Sequence, residues 1–290
     1  MSGNGGFSRP YDRDARAPFV TQIDHACRDL GVGLRWLSDS WIAVLEKGTR
    51  RGHIVGYTFG LNDSAAVELA VDKSATAAIL SAYRIPVVDH KIFTFGDLTS
   101  TDAAAQIAAG YPLPVVVKPA RESDGLDVQR AETIDHLCSV VRDLRTRHAA
   151  IAVSPLIVEP DEYRVVILDG RVLLAFRKVV QATRQGAPPE WRHNAVFGSQ
   201  AQLLPDTAPI LPSLSTLARR TLSVLGLRVG AVDIFDRAGD LRVLEVNDAF
   251  SLNGFSLQSD EHFALAENVF GAIIATWSTT DTAGSLLDTP

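Results

Sequence analysis

Asp233, Glu245 and Asn247 lie in two runs rich in Val, Ile, Leu and Phe, VGAVDIF and DLRVLEVND, separated by a polar turn that contains Gly239. That pattern predicts a β-hairpin. If Arg237 pairs with Leu241 around a three-residue loop, Asp233 stands opposite Glu245. Asn247 follows on the same face, because side chains alternate along a strand. Val232, Ile234, Leu244 and Val246 then form an apolar face, while Phe235 and Val243 accompany the polar residues. Two facing carboxylates resist joint ionisation. A hard divalent cation removes that conflict, and magnesium commonly takes one or two carboxylates together with waters and phosphate oxygens. The plainer alternative leaves Asp233 in water at a strand edge and pairs Glu245 with an arginine.

The cations have their own pattern. Asp72 is a candidate N-cap for the Ala-rich stretch DKSATAAILSAYRIP, which Pro86 prevents from continuing. Lys73 then stands in the first turn, against the helix dipole, where a bound anion would offset the repulsion. PVVVK reads as a buried strand with Lys118 at its edge, and lysine is costly to bury without a partner. The following ARESDG, with Ser123 and Gly125, is a small polar turn whose backbone N–H groups suit phosphate oxygens; as an isolated feature it is equally a surface turn. EYRVVILDGRVLLAFRK predicts a second hairpin about Asp169-Gly170. With Leu168 paired to Arg171, Glu162 lies opposite Arg177, and Arg164 shares their face. This is either a structural salt bridge or a guanidinium pair suited to a phosphate or carboxylate. QATRQGAPPEWRHNAVFGSQ lacks periodicity, and long structureless loops are usually functional or disordered. Trp191, Arg192 and Asn194 single it out among the loops, with His193 a solvated bystander.

The elements that must position these groups alternate. Helical periodicity occurs at Val20–Leu30, at 101–109, at Ile134–Leu144, from Pro212 to Gly226, and after Asp260. LRWL, WIAVLE and HIVGYTF are strand-like, with KGTRRG as a turn. At 290 residues, 46% hydrophobic and 21% charged, the chain can build packed cores. A net charge of -6 argues against broad nucleic-acid binding. Cys27 and Cys138 form no C-x-x-C pair, so a disulfide framework or zinc site is not expected and a reducing cytoplasm is. No apolar run is long enough for a membrane span, and the polar start lacks the apolar middle of a signal peptide. The expected organisation is a flexible 1–18, an N-terminal α/β domain over 19–90, a central domain over 91–157, a C-terminal domain over 158–278, and a loose tail over 279–290.

In order along the chain, a strand–Lys–Pro–turn, an Arg-bearing hairpin and a hairpin with Asp…Glu-x-Asn resemble the ATP-grasp superfamily. The resemblance runs from about Leu69 to Phe255. EYRVVILDGRV, FRK, WRHN and EVNDAFSLNGF look most like the ribosomal-protein glutamate ligase type, with the cyanophycin synthetases also similar. The implied fold is α+β, in three subdomains, with nucleotide between a lid and the C-terminal part. The implied ligands are ATP and magnesium, as two ions, with manganese as a substitute. The resemblance gives Lys73, Lys118 and the Ser123–Gly125 turn to the phosphates. Ser154, Leu156 and Ile157 fall to the hinge on the adenine and Glu162 to the ribose. Asp233, Glu245 and Asn247 fall to the metal. Arg164, Arg177, Arg192 and Asn194 would orient the acceptor carboxylate and the transferred phosphoryl group. Ser154, Asp127 and Phe250 depart from the family pattern, which more often has glutamate, glycine and proline.

The implied reaction is ATP-dependent amide formation between a carboxylate and an amine through an acyl phosphate, on amino-acid or peptide substrates, in a chain that often forms homo-oligomers. Phosphoryl transfer is mostly positioning and charge neutralisation, so no nucleophilic side chain is required. An ATP-grasp kinase or carboxylase, or a nucleotide-binding module without turnover, are the alternatives. An amide product formed with ADP and phosphate separates the three.

Overall fold

The computed structural model describes residues 13–96, 99–121, 127–158, 160–180 and 199–279. In chain order the elements are α1 (Arg13–Asp29), β1 (Gly33–Leu37), β2 (Ile42–Lys47), β3 (Arg50–Val55), β4 (Thr58–Phe59), α2 (Ser64–Val71), α3 (Lys73–Ala82) and β5 (Lys91–Thr94). Then come α4 (Ser100–Gly110), β6 (Val115–Pro119), β7 (Gln129–Ala131), α5 (Ile134–Leu144), β8 (Ala150–Pro155), β9 (Asp161–Leu168) and β10 (Arg171–Val179). The chain continues through β11 (Gln200–Leu203), α6 (Leu211–Leu225), β12 (Val229–Arg237), β13 (Asp240–Asn247), α7 (Asn253–Ser256) and α8 (Asp260–Thr279). Helix α1 therefore begins inside the stretch expected to be flexible, and only residues 1–12 of that stretch lie outside the described residues. Contacts divide the chain into two compact units, 63–248, and 1–62 together with 249–290.

The second of these units is a meander, β1-β2-β3-β4, built with α1, α7 and α8. Its core is aromatic. Phe19 meets Phe270 edge-on at 5.0 Å, and Phe59 and Phe250 stack on Phe270 at 5.9 and 6.3 Å. Phe250, the departure from the family's proline, is thus a core residue, 1% exposed. Gly52 is required by packing, since a Cβ there would lie 2.3 Å from the Trp277 indole nitrogen. Helix α8 starts at Asp260 and is capped one residue earlier than expected, by the Ser259 hydroxyl, which accepts the His262 N–H at 3.3 Å.

The 63–248 unit contains two antiparallel sheets. The first has the order β5-β8-β6-β7. Val115, Val117, Ile151 and Val153 alternate onto one face, where Ala104 and Ile107 of α4 and Leu137, Val141 and Leu144 of α5 bury them. The second has the order β11-β10-β9-β12-β13. Val165, Ile167, Val232, Ile234, Val243 and Val246 pack against α2, α3 and α6 through Ala66, Leu80, Leu214, Leu217 and Leu222. Asp72 caps α3 as expected, its Oδ1 accepting the Ser74 and Ala75 N–H groups at 2.9 Å. Gly226, at φ 74°, ends α6 in the left-handed conformation.

Both hairpins of the five-stranded sheet contain a bulge. In the β12–β13 hairpin Arg237 pairs with Asp240, not Leu241, across the two-residue turn Ala238-Gly239, whose φ angles are 54° and 89°. Positive φ at both turn residues matches the right-handed twist of paired strands. A register shift beyond Asp233 then accommodates Leu244 as an extra residue, so Asp233 still stands opposite Glu245. Val243 consequently joins the core and Leu244 is half-buried, the reverse of their expected faces. In the β9–β10 hairpin Leu168 pairs with Arg171 as expected, but a shift between Val172 and Leu174 moves every later pair by one residue. Glu162 therefore faces Lys178, and Arg177 faces Tyr163. The strand β11, of which sequence reading placed only Gln200, at the end of a loop, pairs with the end of β10.

Candidate functional site

The face of the five-stranded sheet turned away from α2, α3 and α6 is polar. Its rows follow from register: Lys178, Glu162 and Phe235 in one, Phe176, Arg164, Asp233 and Glu245 in the next, then Asn247 opposite Ala231. Asp233 is 0% exposed. Arg164 grips it with Nε to Oδ1 at 2.7 Å and a terminal nitrogen to Oδ2 at 2.6 Å. Lys178 Nζ stands 3.0 Å from the same Oδ2 and also holds Glu162 in a close ion pair. The Asn247 amide donates weakly to Asp233 at 3.5 Å.

These charges are sealed from water, and their ionisation follows from that. Burial disfavours the Asp233 carboxylate, but Arg164 and Lys178 outweigh it and hold the group well below the usual carboxylate range. Burial raises Glu162, against the opposing pull of Lys178. Arg164 stays charged, its burial outweighed by Asp233.

Lys118 comes from the other sheet. It is 6% exposed on β6, in the middle of the four-stranded sheet. Desolvation pushes its pKa down to about 8, Glu245 and Glu162 pull it up, and Lys73 pushes it further down. Lys73 opens α3, and its backbone N–H donates to the Ala120 carbonyl at 3.3 Å, which ties the helix start to the end of the Lys118 strand. The two sheets thus direct Lys118, Lys73, Glu162, Glu245, Asp233 and Arg164 into one region. Ser154 is buried on β8. Leu156 and Ile157 follow it, half-buried, and the Leu156 N–H donates to the Pro114 carbonyl at 3.2 Å. A cavity of about 270 Å³ opens at this end of β8, between Pro155 and Ile157, Val88 and Asp89, and Phe235, Arg237, Asp240 and Arg242.

Arg177 is not part of the cluster. The bulge turns it to the Tyr163 face, where it pairs with Asp161, both half-exposed. Lys178 occupies the place expected of it, a buried cation that sequence reading missed; the basic pair in FRK was the signal, and only the register selects the second member. Ser123, Gly125, Arg192 and Asn194 lie outside the described residues. Asp127, just after the expected phosphate turn, adopts φ 56° and accepts from Arg147 at 2.5 Å and His148 at 2.7 Å. Its carboxylate interactions hold a conformation that a glycine adopts without them.

The donor set fits a hard cation. Among the described residues no three His, Cys, Asp or Glu side chains converge as a cage. Asp233, Glu245 and the Asn247 carboxamide supply oxygen from two carboxylates and one amide, the partial set that magnesium completes with water and phosphate. Asp233 Oδ2 already takes Arg164, Lys178 and the weak Asn247 contact, whereas Oδ1 takes only Arg164; with about two acceptor positions per oxygen, Oδ1 keeps one for a metal without removing either cation.

Two sheets enclosing buried lysines, and a polar face with Asp and Glu-x-Asn on adjacent strands, define an ATP-grasp architecture. The RimK-like ATP-grasp domain matches residues 70–269, and the chain belongs to that family. It is 29% identical over 219 residues to a probable alpha-L-glutamate ligase of Halorhodospira halophila, covering 75% of this chain and 66% of that protein. It is 26% identical over 217 residues to a D-alanine–D-alanine ligase of Haemophilus influenzae, covering 73% of this chain and 71% of the relative. The D-alanine–D-alanine ligase of Bacillus anthracis, solved in complex with ATP, shares the fold with a TM-score of 0.54 at 16% identity, over 74% of this chain and 70% of that one. The chain spans 61 to 66% of the length of the first three glutamate-ligase relatives. Among the described residues no helix is long and apolar enough to cross a membrane.

Proposed function

We propose that the chain is an ATP-dependent carboxylate–amine ligase that forms an amide on an amino-acid or peptide substrate and releases ADP and phosphate. The observation that carries this reading is the meeting of Lys118 from one sheet with Glu162 and Glu245 on the polar face of the other, where Asp233 stands opposite Glu245. A free carboxylate does not acylate an amine, because oxide is a poor leaving group. Transfer of the γ-phosphoryl group to a carboxylate oxygen makes phosphate the leaving group. The amine nitrogen then attacks the acyl carbon, the C–O bond to phosphate breaks, and the ammonium proton passes to solvent.

Lys73, Lys118, Ser123 and Gly125 bind the phosphates, Glu162 takes the ribose, and the chain from Ser154 to Ile157 lies against the base. Asp233, Glu245 and Asn247 would hold magnesium, as two ions or with manganese in its place, which would supply neutralisation of phosphate charge. Arg164 and Lys178 fix Asp233 and present positive charge where the acyl phosphate develops. Arg192 and Asn194 orient the acceptor. These cations suit an anionic acid partner, as glutamate would be for the relatives named as glutamate ligases. A cytoplasmic enzyme is part of this reading, which is also compatible with a homo-oligomer. A phosphate-release screen over pairs of amino acids and short peptides, with mass spectrometry of the products, tests it. Formation of ADP with an amide is expected; ADP with a phosphorylated product only would make the protein a kinase.

A further inference from the structure

His90 is a buried polar group to which neither the hairpins nor the phosphate lysines assign a task. It is 4% exposed and sits where the chain leaves one sheet for the other. Before it, Val88 N–H donates to the Val243 carbonyl at 2.8 Å, beside β13. After it, Lys91 opens β5 and pairs with Val153 of β8. Carried back one residue, that register sets His90 opposite Ser154, which in turn faces Val116 on β6. Ala152 faces Lys118, so alternation puts His90, Ser154 and Lys118 on the same face of the four-stranded sheet, away from its core.

The protonation pattern of the ring is set by its contacts. Nδ1 lies 2.8 Å from the Val88 carbonyl, which can only accept, so Nδ1 carries the proton. Nε2 is then a lone-pair acceptor, and it is buried without a hydrogen-bond partner among the described residues. Burial, then Lys118, then Lys73 oppose a second proton, while the Val88 carbonyl favours it, and the balance leaves the ring neutral. Such an acceptor has nothing to offer a phosphate oxygen, which also only accepts. It suits a ligand N–H.

We propose that His90 is a base-recognition residue whose Nε2 accepts a hydrogen bond from the exocyclic amine of a 6-aminopurine nucleotide lying against Ser154–Ile157. This rests on the nucleotide reading given above. Ser154 contributes a hydroxyl, which can donate as well as accept, and no carboxylate at this point of β8, so the imidazole Nε2 is the accept-only neutral group beside it. Within a nucleotide the other donors are the ribose hydroxyls, which Glu162 serves. A site built to pair with a ligand N–H rejects an analogue that lacks it, because its own acceptor is left unpaired.

The test compares binding of ADP and of purine riboside diphosphate, its 6-deamino analogue, by calorimetry with the full chain and magnesium. The wild type is expected to prefer ADP by about tenfold, the worth of one buried hydrogen bond. His90→Leu keeps the bulk without the acceptor and should bring the two affinities to near equality. His90→Gln restores an acceptor at the ε position and should recover part of the preference. Pyrophosphate affinity should be the same in all three, which a merely structural role would not predict. A wild type indifferent to the amine, or a His90→Leu variant that loses both nucleotides equally, overturns the proposal. Failure of ADP and pyrophosphate alike to bind the wild type would instead remove the nucleotide reading beneath it.

Discussion

Arg164 holds Asp233 through two parallel N–H···O bonds of 2.7 and 2.6 Å across the adjacent strands β9 and β12. The fork of the guanidinium matches the carboxylate, so the pair is fixed in orientation as well as in charge. Asp233 is 0% exposed and Arg164 only 17% by side chain, so removing one partner strands the other. Arg164→Met should lower the unfolding free energy by about 3 kcal/mol. Adding Asp233→Asn should cost less than the sum of the single changes, because the stranded charge is gone. Urea titrations of the two single variants and the double variant measure this coupling, and additivity would refute it.

The same pair makes stability pH-dependent. Arg164 and Lys178 depress the folded-state pKa of Asp233 below its unfolded value, despite burial. A depressed carboxyl contributes stability that is fully present above the unfolded pKa of about 3.9 and is lost as pH falls towards the folded pKa. Between pH 7 and pH 5 the urea midpoint should therefore carry no change from this group, and below about pH 4 it should fall. In Asp233→Asn this part of the acid slope should be missing.

Lys178 and Arg177 are neighbours with opposite fates. Lys178, 7% exposed by side chain, bridges Glu162 and Asp233, whereas Arg177 and Asp161 are each 41% exposed. Lys178→Met should destabilise by about 3 kcal/mol by leaving two buried carboxylates short of a cation. Arg177→Ala should cost under about 1 kcal/mol, as exposed pairs do. Thermal and urea unfolding of the two variants compare them directly. Equal losses would mean that the bulge after Val172 does not govern this face.

That contrast shows which parts of the site the sequence made legible. Local signals sufficed for the Asp72 cap, the Leu168–Arg171 turn and the helical periodicity of 134–144, since each depends on residues a few positions apart. Bulges depend on how a strand meets its neighbours, and neither Leu173 nor Leu244 announces one. In the second hairpin two departures cancelled: a turn one residue shorter than expected and one extra residue at Leu244 restored Asp233 to Glu245. In the first, a single bulge had nothing to offset it, and Arg177 changed places with Lys178. The edge strand Gln200–Leu203 is only four residues long, so its polar–apolar alternation is too brief to stand out from the polar chain before it. His90 was invisible because a lone histidine has no spacing; only the orphaned Nε2 draws notice to it.

Glu245 separates metal use from fold. It is half-buried, opposite Asp233, and acts on Lys118 through its charge. Glu245→Gln keeps the shape and removes one anionic oxygen donor from the hard-cation set. The magnesium concentration for half-maximal phosphate release should rise by about tenfold or more, in the range seen when groups around a metal are altered. The urea midpoint should stay near that of the wild type. An unchanged magnesium requirement would place the metal elsewhere.

Lys118 gives the sharpest pH signature. Its pKa is pushed down to about 8, chiefly by desolvation, while the ammonium form is the one a polyphosphate attracts. Below pH 8 the site is already charged, and binding needs no proton. Above it, each binding event must draw one proton to Lys118, because the bound phosphates raise its pKa again. ADP affinity should therefore be nearly flat from about pH 6.5 to 7.5 as far as this group is concerned, and should fall by up to about tenfold per pH unit above 8. Lys118→Met should bind ADP weakly at every pH, abolish phosphate release and lose the alkaline slope. Calorimetry at about pH 8.5 in buffers of different ionisation enthalpy gives the proton count independently, about three-quarters for the wild type and near zero for the variant. A wild-type affinity that does not decline above pH 8, with no proton taken up, would show that Lys118 does not meet the phosphates.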